Sequence, residues 1–221
     1  MDDTLKAVLF DVDGTLVDTN YLNAVTWWEA FAQAGFDVTM SDIHRTIGKG
    51  SDQLLDALLP KDRDRDGDAS IRIAHSALYS VYWSRLRPLD GAADLLRACH
   101  RQGLKVVLAS SADEREFAVL RAALDADDAI DEATNSGDVE QSKPAPDLVQ
   151  VALDKAGVAP GQAVFVGDTV WDVHACQQAG VRCIGLLSGG IGRDELLEAG
   201  AVEVYSGPAE LLERFPGALM G

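Results

Sequence analysis

The sequence predicts an α/β protein, a doubly wound parallel sheet with an α-helical domain inserted after its first strand. Three observations predict it. The first is a short apolar run, Ala7-Val8-Leu9-Phe10, that passes straight into Asp11-Val12-Asp13-Gly14-Thr15-Leu16. The second is a strand–helix alternation that begins near residue 89. The third is the stretch between them, from about Val17 to Pro88, which carries helical patterning and no strand signal. That stretch is too long for one crossover connection. The core is therefore read as residues 1–16 and 89–221, and the insert as residues 17–88.

Each element follows from local chemistry. An apolar run without alternation suits a parallel strand covered on both faces. Asp and Gly are poor strand residues, so the first strand should stop at Asp11. In the insert, Leu22, Val25, Trp28, Phe31 and Ala32 recur at helical spacing and stop at Gly35. Ser41 is read as the N-cap of a short helix through Arg45. Ser51 or Asp52 can cap the next helix, through Leu59, and another covers about Ala69 to Arg87. Beyond Pro88 the reading is helix 91–102, strand 104–109, then Ser110-Ser111-Ala112-Asp113 and a helix to about Leu124. A looser stretch leads to Ser142-Lys143-Pro144-Ala145-Pro146-Asp147 and a helix to Ala156. Then come strand 163–166, helix 170–179, strand 181–186, helix 193–199 and a short strand 202–204.

Composition narrows the function classes. The chain has 221 residues, with 19 basic and 36 acidic side chains and a net charge of −17. Such a chain repels nucleic acid and anionic lipid, so neither is an expected partner. It also repels a phosphorylated small molecule at long range, so any such substrate must be held by local cations. No apolar run approaches the roughly 20 residues of a membrane span, and the acidic start Met1-Asp2-Asp3-Thr4 has no leader pattern. The three cysteines, Cys99, Cys176 and Cys183, lack metal-ligand spacing. A reduced, cytoplasmic protein is expected.

The chemistry gathers at strand ends, where open α/β sheets bind ligands. The first strand delivers Asp11 and Asp13, and the second delivers Ser110, with Ser111 and Ala112 at a helix start that suits an anion. A later strand delivers Asp168, with Asp172 four residues on. Lys143 lies in a loop stiffened by Pro144 and Pro146. Alone, each has an ordinary role as a cap, a turn residue or a solvated charge. Together they offer hard oxygen ligands for Mg²⁺, donors for phosphoryl oxygens and a carboxylate able to accept a phosphoryl group.

These segments resemble, in order, the four motifs of the haloacid dehalogenase superfamily: Asp11-Val-Asp-Gly-Thr, Ser110 after an apolar strand, Lys143 in Ser-Lys-Pro-Ala-Pro, and Gly167-Asp-Thr-Val-Trp-Asp172. The helical insert resembles the cap of its phosphatase and phosphomutase members, on a Rossmann-like core. The resemblance implies that Asp11 is the nucleophile and Asp13 the acid and base. It implies that Ser110 and Lys143 hold the phosphoryl group, and that Mg²⁺ is held by Asp11, the Asp13 carbonyl, Asp168 and Asp172. The implied activity is hydrolysis of a small phosphorylated metabolite, phosphoglycolate or a sugar phosphate, by a monomer or homodimer. Substrate contacts are expected from Ser111 and from cap residues Asn23, His44, Arg45 and Lys49.

Relatives within the superfamily separate on single residues. Dehalogenases lack the second acid, present here as Asp13. The phosphonatase branch uses a cap lysine, for which Lys49 in its Gly-Lys-Gly loop is a poor match. β-Phosphoglucomutase shares Ser-Lys-Pro-Ala-Pro. It has histidine at the place of Asn23, glutamate at the place of Gly167, and no counterpart of Asp172. Those departures favour a phosphatase, with the mutase as the alternative. A non-enzymatic phosphoacceptor module also uses an acidic pair, a hydroxyl and a lysine, but has no cap.

Other signals are read as structural. Asp62-Arg-Asp-Arg-Asp-Gly-Asp68 imitates a calcium loop but has Ile73 where a bidentate glutamate is needed. Ser188-Gly189-Gly190-Ile191-Gly192 is read as a mobile loop at the rim of the site. His174 is assigned to packing or surface, and Trp27, Trp28 and Trp83 to packing of the cap.

Overall fold

The structure, a computed structural model, describes residues 4–220, with side chains through 219. Residues 1–3, which carry most of the acidic start read above, lie outside the described residues. Six strands form one parallel sheet in the order β3-β2-β1-β4-β5-β6. They are β1 (Ala7–Phe10), β2 (Lys105–Ala109), β3 (Glu132–Thr134), β4 (Ala163–Gly167), β5 (Arg182–Leu186) and β6 (Glu203–Tyr205). The central strand β1 is flanked by β2, with Phe10 opposite Leu108, and by β4, with Phe10 opposite Val166.

Successive strand side chains point to opposite faces, and here both faces are covered. Val8, Phe10, Val106, Leu108, Val164 and Val166 enter one apolar cluster. Helices α5 (Ala92–Arg101), α6 (Glu114–Leu124) and α10 (Pro208–Arg214) cover that face. Ala7, Leu9, Val107, Ala109 and Phe165 enter the other cluster, under α7 (Asp147–Ala156), α8 (Val170–Ala179) and α9 (Arg193–Ala199). This double cover is why the strands read as unbroken apolar runs.

Four helices occupy the stretch after β1: α1 (Asn20–Gln33), α2 (Met40–Thr46), α3 (Ser51–Leu58) and α4 (Asp68–Ser80). They share an apolar cluster of their own, built on Trp27, Phe31, Ile43, Leu54, Leu55 and Ile71. The chain leaves and re-enters the sheet at one place, because Val17 bridges to Pro88 and Leu89 N donates to Leu16 O at 2.8 Å.

Several elements differ from the sequence reading. Strand β3 lies in the stretch read as loose, and α10 was not foreseen. The helix expected over 69–87 stops at Ser80, and a separate turn follows at Trp83–Arg85. Thr39, not Ser41, caps α2, its side chain accepting from Asp42 N. Of the three tryptophans assigned to cap packing, only Trp27 is buried there. Trp28 is 40% exposed, and Trp83 packs against the sheet-side cluster.

Candidate active site

The strand order reverses direction between β1 and β4, and the crevice at their carboxyl ends is where such sheets hold ligands. Asp11 follows β1 and is pinned by its own amide, which donates to Val166 O of β4 at 2.9 Å. Asp168 follows β4, and Asp172 lies in the first turn of α8. All three carboxylates are buried, and one oxygen of each falls within 4.8 Å of the others.

Lys143 is buried beside them, 1% exposed, and its Nζ donates to Asp11 Oδ1 and to Asp172 Oδ1, each at 2.7 Å. Burial pulls its pKa down, but the two carboxylates more than reverse this, and the ammonium is held charged. Burial pushes Asp11 well above the usual carboxylate range; Lys143 opposes this, while Asp172, Asp168 and Asp13 add to it. Asp168 is pushed up to about 7 by burial, with Asp172 adding to it. Burial also raises Asp13. One lysine therefore sits among four acids, an excess of negative charge that a cation would relieve.

Local chemistry fixes each carboxylate. Thr15 Oγ1 donates to Asp168 Oδ1 at 2.7 Å and Asn20 Nδ2 to Asp168 Oδ2 at 2.8 Å. Thr169 N-caps α8 and forms a capping box with Asp172. In it, Asp172 Oδ2 accepts from Thr169 N at 3.1 Å and from Thr169 Oγ1 at 2.6 Å. Among the described residues, two buried oxygens nearby, Asp13 Oδ1 and Asn20 Oδ1, have no hydrogen-bond partner. Unpartnered acceptors beside three carboxylates fit a hard, hydrated divalent cation.

A cavity of about 750 Å³ lies between helices α1, α3, α4 and the strand ends. Of the residues expected in the site, Asp11, Asp13, Lys143, Ser111, Asn23 and Lys49 line it. Ser110 is fully buried behind it; its Oγ accepts from Ala112 N at 3.1 Å and lies 3.5 Å from Asp13 Oδ2. Asn23 Oδ1 accepts from His75 Nε2 at 3.2 Å, and His75 stacks 3.9 Å from Trp27. Lys49 Nζ sits 3.9 Å above the Trp171 ring, and burial lowers its pKa.

Two expected substrate contacts are elsewhere. His44 is not among the cavity-lining residues; its Nε2 meets Gly189 O at 2.8 Å. Arg45 pairs with Glu195 at 2.8 Å and lines a separate hollow beside Trp171. The rotation of α2 explains both, since Trp171 Nε1 donates to Arg45 O at 3.2 Å and fixes that helix edge against α8. The loop at 188–192 is pinned rather than mobile: Ser188 Oγ donates to Gly14 O at 2.7 Å, and Gly189 O accepts from Asn20 Nδ2 at 3.2 Å. Within the calcium-like run, Arg63 pairs with Asp68 and with Asp56 outside it, and Arg65 also takes Asp56. The sequence reading missed Asn20, Thr169 and Gly189 as supports of the carboxylates. Asn20 carried no local signal, whereas Thr169 could have been found as a Thr-x-x-Asp cap.

Comparison with known proteins agrees with this architecture. A family model described as haloacid dehalogenase-like hydrolase matches residues 5–180. The chain is 31% identical over 189 residues to protein SUPPRESSOR OF QUENCHING 1, chloroplastic, of Arabidopsis thaliana, spanning 81% of this chain but 18% of that protein. It is 28% identical over 214 residues to the phosphorylated carbohydrates phosphatase of Thermotoga maritima, covering 94% and 97% of the two chains. A solved structure of a hydrolase from Pseudomonas syringae superposes with a TM-score of 0.91 at 31% identity, covering 96% and 98%. Among the described residues no helix is long and apolar enough to cross a membrane. With four ordered motifs converging at the reversal point of the sheet, and a family match over most of its length, the chain belongs to the haloacid dehalogenase-like hydrolases.

Proposed function

We propose that the protein is a Mg²⁺-dependent phosphomonoester hydrolase acting on a small phosphorylated metabolite, of the phosphoglycolate or sugar phosphate type, through an aspartyl-phosphate on Asp11. The observation that carries this reading is Lys143 bridging Asp11 and Asp172 at 2.7 Å, in a cluster that opens on the cavity. Lys143 occupies Asp11 Oδ1. Oδ2 is then the oxygen that attacks phosphorus as the ester P–O bond breaks. Asp13, whose pKa burial raises, gives its proton to the leaving alkoxide. It then takes a proton from the water that attacks the aspartyl-phosphate, and inorganic phosphate leaves. Ser110, Ser111 and Lys143 hold the phosphoryl oxygens. Asp11, Asp168, Asp172 and the Asp13 carbonyl would hold Mg²⁺, which supplies positive charge where the phosphoryl group becomes more anionic.

Residues 17–88 act as a cap in this reading, with Asn23 and Lys49 meeting the organic part of the substrate. A cavity of about 750 Å³ accommodates a sugar-sized ester. The phosphorylated carbohydrates phosphatase similarity supports the same class. One contact favours hydrolysis over the mutase. A Cβ at Gly167 would lie 2.6 Å from Asp172 Cγ, so a glutamate at 167 and the Asp172 carboxylate compete for one space.

The test is phosphate release from a panel of metabolite phosphates with Mg²⁺ and with a chelator. Chelator-sensitive release from a few sugar or glycolate phosphates is expected. Silence across the panel, or full activity in an Asp11→Asn variant, would contradict the assignment.

A further inference from the structure

We propose that Asn20 and His44 are positioning residues that tie the seating of the helical segment to the aim of the Asp168 carboxylate, with the Gly189 carbonyl as their shared contact. The inference rests on the metal-dependent reading, since Asp168 matters here as a metal ligand.

The two oxygens of Asp168 are held from different parts of the chain. Thr15, in the loop after β1, takes Oδ1 at 2.7 Å. Asn20, the first residue of α1, takes Oδ2 at 2.8 Å. The same Asn20 nitrogen reaches Gly189 O at 3.2 Å. An amide nitrogen carries two hydrogens, so both bonds form together. A carbonyl oxygen accepts twice, and the second donor to Gly189 O is His44 Nε2 at 2.8 Å. A carbonyl cannot donate, so Nε2 of His44 carries the proton. His44 belongs to α2, so two separate helices of the segment converge on one carbonyl of the loop after β5. One of them carries the contact on to Asp168.

The space around this carbonyl is closed. A Cβ at Gly189 would overlap Asp168 Oδ2 and lie 2.6 Å from Asn20 Nδ2. A Cβ at Gly190 would lie 2.9 Å from His44 Nε2 and 3.1 Å from the Tyr21 hydroxyl. Tyr21 stacks on His44 with ring centroids 5.2 Å apart and planes 8° apart. Ser188 ties the loop to Gly14 O at 2.7 Å, one residue beyond Asp13. When α2 is seated, His44 fixes the Gly189 carbonyl, and that fixed acceptor keeps the Asn20 amide turned towards Asp168. His44 does not line the cavity, and the hydrogen-bonded route from it to the site runs through Gly189 and Asn20.

The experiment is calorimetric titration of Mg²⁺ into the full chain without substrate, with a melting curve for each variant to establish folding. Asn20→Ala is expected to weaken binding by about 10- to 100-fold, the range for groups that orient metal ligands. His44→Ala is expected to weaken it by about 5-fold or more. His44→Gln keeps a donor and should stay close to wild type. Arg45→Ala removes the neighbouring exposed pair with Glu195 and should also stay close to wild type. The Asn20→Ala/His44→Ala double variant should bind no more weakly than Asn20→Ala alone, because both act through one contact. Wild-type affinity in His44→Ala, additive losses in the double variant, or an equal loss in Arg45→Ala would overturn the proposal while leaving the metal reading standing. Failure of the wild-type chain to take up Mg²⁺ would overturn both.

Discussion

Lys143 is the residue on which the buried charges depend. With two carboxylates at 2.7 Å and 1% exposure, it neutralises groups that have little access to water. Removing one partner from a buried ionic cluster costs about 3–5 kcal/mol, because the remaining charges stay buried. Lys143→Met should therefore lower unfolding free energy by that order in urea titrations, besides abolishing turnover. His75 gives a pH prediction. Burial pushes its pKa down to about 3, against an ordinary 6.5. Between these values the unfolded chain binds a proton that the folded chain refuses. This contribution to stability is therefore complete above pH 6.5 and is lost as pH falls towards 3. His75→Phe should thus cost less stability at pH 5 than at pH 7, by about 2 kcal/mol at most, in paired denaturant titrations. An equal cost at both pH values would mean that His75 charges freely in the fold. Asp11, Asp13 and Asp168 were singled out in the sequence because apolar runs end there in polar residues, and Lys143 because it lies in a proline-flanked loop. Asn20 was not, since its role depends on a partner 148 positions away.

At the scale of elements, the sequence reading was most reliable where one physical signal dominates. The covered strands β1, β2, β4 and β5 read clearly because both faces are apolar. Strand β3 did not, because Glu132-Ala133-Thr134 is three residues long, at a sheet edge, and only Thr134 is buried. The direction that α2 faces was equally hidden. His44 and Arg45 looked like substrate contacts until the contacts with Gly189, Trp171 and Glu195 fixed the helix. Helix α8 carries an element-scale prediction. Its cap Thr169 also holds Asp172 in place. Thr169→Ala should cost about 1 kcal/mol of stability. Gly167→Ala should act on geometry instead, because its Cβ would lie 2.6 Å from Asp172 Cγ. Displacing that carboxylate by about 1 Å is expected to lower kcat about 100-fold with the fold intact. Turnover at the wild-type rate in Gly167→Ala would show that Asp172 need not sit where it does.

For the whole molecule, the net charge of −17 and the local site make opposite demands. The surface repels an anionic ester, whereas the cluster around Asp11 would need positive charge to receive one. A divalent cation held there would reconcile the two, relieving the carboxylates and attracting phosphoryl oxygens. Because such a cation binds the folded chain and not the unfolded one, Mg²⁺ at about 100 times its Kd should add about 2.7 kcal/mol of stability. Chelator-treated protein should accordingly melt at a lower temperature than protein in Mg²⁺. The helical character of the stretch after β1 was legible from its patterning and its lack of strand signal. The cavity was not, because Trp27, His75 and the strand ends meet only after folding.

In the proposed reaction Asp11 carries the phosphoryl group. The most direct test of this is mass spectrometry of the Asp11 peptide from enzyme quenched in acid during turnover with Mg²⁺. A phosphoryl adduct on Asp11 that decays as inorganic phosphate appears is the predicted result. Sustained turnover with Asp11 never modified, or an adduct on another residue, would contradict it.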